Sequence, residues 1–109
     1  MTWLLRDGDV LAAAEVATGP GLRAKGLLGR RSYEGALVLP RTRAVHTVGM
    51  RFPVDVAFCD RELVVVGVTT MRPGRIGVPR RRGRTVIEAE AGAFARWGLQ
   101  VGDRLELRG

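Results

Sequence analysis

The chain has very few of the residues that mark specialised chemistry. Its one cysteine, Cys59, excludes an intrachain disulfide and fits a reducing compartment. Histidine and serine also occur once each, as His46 and Ser32. No paired Cys or His spacing can therefore build a zinc site, and a Ser–His nucleophile is hard to assemble with Ser32 beside Arg31. No glycine-rich phosphate loop ends in the lysine that such a loop needs. The expectation is a protein without a metal or cofactor. Long apolar runs are missing too. The uncharged stretch from Val10 to Ala14 falls far short of the roughly 18 residues that span a bilayer. The segment from Met1 to Asp7 has no basic region followed by an apolar one, so a cytoplasmic protein is expected.

What is present is ordinary in amount and unusual in kind. The 109 residues are 46% hydrophobic and 27% charged, which predicts a single domain over residues 1–109 with its own core. The net charge is +7, and Lys25 is the only one of the 18 basic residues that is not arginine. Such a surplus favours an anion: nucleic acid, an acidic partner or a lipid surface. It also follows from wholesale use of arginine in place of lysine.

The pattern along the chain is that of short strands. Asp7-Gly8-Asp9 joins two strand-like runs, Thr2 to Arg6 and Val10 to Val16, as a hairpin turn, although the alanines at 12 to 14 weaken the second run. Thr18-Gly19-Pro20-Gly21 breaks the chain, and a short helix is predicted from Leu22 to Leu28 with Gly29 as its stop. Strands are predicted at Ala36 to Leu39, Ala44 to Thr47, Val54 to Cys59, Leu63 to Met71, Thr85 to Ala89 and Arg104 to Leu107. The β-branched hairpin of Val54 to Met71 is placed at the centre of the sheet. Pro73 to Arg84 reads as an exposed loop, and Ala91 to Trp97 as two helical turns ended by Gly98. The predicted fold is mainly β: a compact antiparallel sandwich or partly closed barrel with one or two short helices.

Asp55 stands out because it interrupts an apolar strand. A carboxylate withdrawn from water costs several kcal/mol unless a cation or several donors meet it. Arg30, Arg51, His46 and the hydroxyl of Thr47 are the candidates. The same burial admits a functional role for Asp55, as a ligand group or catalytic acid in a cleft, and a structural one, as a carboxylate that caps a turn or pairs an arginine. The run Arg80-Arg81-Arg82 with Arg84 could meet phosphates, but no aromatic residue is interleaved to stack bases.

Three blocks resemble the domain of unknown function 192 family. They are Gly26-Leu27-Leu28-Gly29-Arg30, then Met50-Arg51-Phe52-Pro53-Val54-Asp55-Val56-Ala57-Phe58, then Val86-Ile87-Glu88-Ala89 with Ala91-Gly92, Gly98 and Gly102-Asp103. Where that family often carries Trp-Met, this chain has His46 and Thr47, and Leu28 stands where Met is common. The resemblance implies a compact, mainly β fold and no particular activity. The leading functional expectation is a binding module for a polar small ligand or peptide, with Arg30, His46, Arg51 and Asp55 at one end of the sheet. The alternatives are a hydrolase-like enzyme using Asp55 or His46, and a nucleic-acid-associating protein using Arg80, Arg81, Arg82 and Arg84.

Overall fold

A computed structural model of the chain describes residues 1–19, 21, 26–27 and 30–109. The described elements are β1 (Thr2–Arg6), β2 (Asp9–Val16), β3 (Ala36–Pro40), β4 (Val54–Cys59), β5 (Val65–Met71), β6 (Thr85–Glu90), the helix α1 (Ala93–Trp97) and β7 (Leu105–Arg108). The seven strands form one sheet in the order β5-β4-β6-β3-β2-β1-β7. Its pairings are antiparallel except for β2 against β3, which run parallel. The expected helix over Leu22 to Leu28, with its stop at Gly29, lies outside the described residues apart from Gly26 and Leu27.

The sheet curls until its two edges approach. Val64 bridges Arg104. The Val65 N–H donates to the Asp103 carbonyl at 2.9 Å, and the Leu105 N–H donates to the Leu63 carbonyl at 2.9 Å. The result is a half-closed barrel, mainly β as the strand pattern implies.

Two sequence expectations are corrected. The β4–β5 hairpin sits at one edge of the sheet, not its centre. β5, the edge strand, leaves Val68 and Thr70 exposed; β4 beside it, β6 and the central strand β3 are buried along nearly their whole length. The strand expected over Ala44 to Thr47 reduces to one bridge, His46 with Ile76.

The alternation of the central strands produces two apolar layers. Ala57, Cys59, Ile87 and Ala89 point into the curl, where they meet Leu4, Val65, Leu105 and, from α1, Phe94. Val54, Val56, Phe58 and Val86 point to the outer face with Leu37, Leu39, Phe52 and Leu27. Two connectors, 41–53 and 72–84, run beside each other. Gly77 donates its N–H to the Val45 carbonyl, Arg80 to that of Arg43, and Thr47 to that of Arg75. The buried Thr47 hydroxyl fixes this arrangement. It donates to the Arg72 carbonyl at 2.6 Å and accepts the Arg75 N–H at 2.8 Å.

Candidate functional site

Asp55 and Glu88 are the two buried carboxylates, each 5% exposed. They face opposite sides of the sheet. Asp55 alternates with Ala57 and Cys59 and so belongs to the inner layer. Its Oδ1 accepts the Thr70 hydroxyl at 2.7 Å. Its Oδ2 accepts the Gly92 N–H at 3.0 Å and the Phe94 N–H at 3.1 Å. These last two are donors at the start of α1 that the helix cannot satisfy itself. Asp55 is thus met by three donors, and none comes from Arg30, Arg51, His46 or Thr47. At the other end of α1, Arg6 donates to the carbonyls of Trp97 at 2.8 Å and Gly98 at 2.9 Å, and pairs with Asp103 at 2.9 Å. A negative group at the start of the helix and a positive one at its end match the peptide dipoles.

Glu88 alternates with Val86 toward the outer layer. Its cross-strand neighbours are Leu37 on β3 and Val56 on β4, both wholly buried. The Leu27 N–H donates to its carboxylate. Its Oε1 has no hydrogen-bond partner among the described residues. Burial pushes the carboxyl up to about 7, against the smaller opposing pull of the Leu27 bond. Gly26 lies directly over it. A Cβ at that position would stand 2.8 Å from Oε1, and the φ of 52° there is left-handed. Glycine alone combines this conformation with so close an approach.

Above Glu88 opens a cavity of about 300 Å³. Leu27, Leu39, Val45 and Met50 give it apolar walls, and Arg41, Thr42 and His46 bring polar groups. A small pocket that combines apolar walls with a few convergent polar groups is a usual form for a ligand site.

Of the four residues grouped from sequence, His46 alone lines this cavity. Arg30 lies 5.0 Å from the Tyr33 ring centre and 3.7 Å from Glu15, and Arg51 is exposed in the 41–53 connector. Arg80, Arg81, Arg82 and Arg84 are exposed, with the Arg80 guanidinium 4.9 Å over the Phe58 ring. Cys59 is buried. Its thiol is pushed up to about 12, chiefly by burial and further by Asp60, so it is unreactive at neutral pH. Among the described residues, no group of three or more His, Cys, Asp and Glu could hold a metal ion. No described helix is long and apolar enough to cross a membrane.

Sequence reasoning missed Glu88, although the signal was present. Thr85-Val86-Ile87-Glu88-Ala89 is an apolar strand interrupted by a carboxylate, the same pattern that singled out Asp55.

Comparison with known proteins agrees with this architecture. A UPF0127 protein of Pyrococcus furiosus is 37% identical over 86 residues, 74% of each chain. Another, from Pyrococcus horikoshii, is 35% identical over 89 residues, 77% of each chain. A third, from Pyrococcus abyssi, is 42% identical over 62 residues, which are 57% of this chain and about half (53%) of that protein. Among solved structures, a Novosphingobium aromaticivorans protein of unknown function superposes with a TM-score of 0.80 at 21% identity, covering 96% of this chain and 82% of its own. A Sinorhizobium meliloti protein does so with a TM-score of 0.79 at 24% identity, covering 96% and 90%. At such identities these two share the fold alone. The model of the DUF192 family, described as Uncharacterized ACR, matches residues 3–107, and the chain belongs to that family.

Proposed function

We propose that this protein is a binding module for a compact polar ligand, and that the ligand sits over Glu88. One observation carries the reading: a buried carboxylate, Glu88, lines a cavity and has one oxygen without a partner among the described residues. Leaving such an atom unpaired costs on the order of 1–3 kcal/mol, so a ligand N–H or O–H that reaches Oε1 gains what the protein alone forgoes. The walls of Leu27, Leu39, Val45 and Met50 suit a short aliphatic body, and His46 and Arg41 at the margin suit a second polar group. Gly26, which also lines the cavity, packs its backbone close against Oε1, so a ligand there would meet the glycine and the carboxylate together.

The test is a thermal-unfolding screen of small amines, amides and polyols against the parent protein, Glu88→Ala and His46→Ala. A ligand present at a hundred times its Kd raises stability by about 2.7 kcal/mol. The expected hit stabilises the parent, acts less on His46→Ala and does nothing for Glu88→Ala. A compound that stabilises the parent and Glu88→Ala equally binds elsewhere and rejects the proposal.

A further inference from the structure

The two connectors beside the pocket carry a second feature that Glu88 does not explain. Residues 41–51 contribute Arg41, Arg43 and Arg51, and residues 72–84 contribute six more arginines, nine in all. Neither segment contains an Asp or Glu. All nine are exposed, and none takes part in the four ion pairs found among the described residues. The backbone bonds of Thr47, Gly77 and Arg80 hold the two segments side by side, so the charge of both is concentrated in one region of the molecule. Two aliphatic side chains project among these residues, Ile76 at 81% and Val78 at 78% exposure, and they share a groove with Arg80 and Arg81. Arg75 precedes them and Arg80 to Arg82 follow.

We propose that this surface docks on an anionic lipid bilayer, with the arginines on the headgroup phosphates and Ile76 and Val78 entering the interface. Charge complementarity selects a polyanion, and the aliphatic pair selects among polyanions. A nucleic-acid backbone offers no apolar phase for Ile76 and Val78. The two segments hold no Phe, Tyr or Trp on which bases could stack. A bilayer surface satisfies both groups at once, the basic residues by its charge and the apolar residues by its acyl boundary. Each arginine held near such a surface contributes about fivefold in affinity, and added salt screens that contribution.

The test is co-sedimentation with mixed phosphatidylglycerol–phosphatidylcholine vesicles and with pure phosphatidylcholine vesicles, at low and at high salt. The parent is expected on the anionic vesicles only, and to leave them at high salt. Arg81→Gln with Arg82→Gln should weaken binding about 25-fold. Ile76→Ser with Val78→Ser leaves the charge unchanged and should weaken it about tenfold or more. Both pairs are exposed, and unchanged circular dichroism confirms that the variants fold. Three results overturn the proposal. They are no binding to anionic vesicles at low salt, a serine pair that binds as tightly as the parent, and duplex DNA that strips the protein from vesicles at equal phosphate concentration.

Discussion

Asp55 and Glu88 make a natural pair. They lie on neighbouring strands, one register position apart, and are equally buried. One faces into the curl and is met by three donors, while the other faces outward with one oxygen unmet among the described residues. Depth alone therefore does not mark a carboxylate for function. What separates the two is whether the surrounding backbone supplies donors. Around Asp55, the start of α1 supplies them. Around Glu88, the cross-strand neighbours Leu37 and Val56 are apolar, and Leu27 supplies one.

The largest effect is expected at Asp55. Asp55→Ala leaves two amide donors of Gly92 and Phe94 unmet and should cost roughly 3–4 kcal/mol in urea unfolding. Asp55→Asn keeps an acceptor and should cost less. If Glu88→Ala destabilises as much as Asp55→Ala, the two carboxylates do the same job and the contrast fails.

Next in size is the pH dependence set by Glu88. In the unfolded chain this carboxyl releases its proton near 4.5, and in the folded one near 7. Between those values the folded state holds the extra proton, so its contribution is complete below 4.5 and disappears as the pH rises through 7. The loss is on the order of 3 kcal/mol. Glu88→Gln should flatten stability across that window, which chemical denaturation at a series of pH values would measure. A parent protein already flat there would remove the basis for an unmet oxygen.

Smaller effects sharpen the picture. Gly26→Ala should destabilise by about 1–2 kcal/mol through its left-handed backbone and its contact with Oε1. Part of that cost should vanish in the Glu88→Ala background, as a double-mutant cycle would reveal. Arg6→Met should cost about 1 kcal/mol by freeing the carbonyls of Trp97 and Gly98, seen as a lowered Tm.

The local signals in the sequence translate directly into structure. Asp7 and Gly8 adopt φ of 53° and 83°, the turn geometry that Asp-Gly favours, and β1 pairs with β2 across them. Val54–Cys59 forms a strand as its alternation implies, and Ala93–Trp97 is helical within the span expected. The alanines of β2 do not break it, because pairing with both β1 and β3 overrides their weak strand preference. Non-local relations were not legible. Nothing in Leu63 to Met71 tells an edge strand from a central one, and nothing in β2 or β3 announces their parallel pairing. Leu63 looked like part of a strand, yet its φ is 62°, because the Asp60 carboxylate holds a turn through the N–H groups of Glu62 and Val64. Asp55 was legible as a buried group in need of company. Its actual partners, two backbone amides nearly 40 residues away, carry no side-chain signature.

The helix α1 is held by residues from three distant parts of the chain: Arg6 near the beginning, Asp55 in the middle, and Asp103 near the end through its pairing with Arg6. Its seating therefore draws on contacts from most of the chain. A growing chain still lacking residues beyond Gly98 has no stretch 99–108 to complete the rim, and a chain trimmed at its amino terminus loses the guanidinium that secures the stopper. Amide exchange of Phe94, whose N–H is held by Asp55, should therefore report on whether these distant parts of the chain are in place.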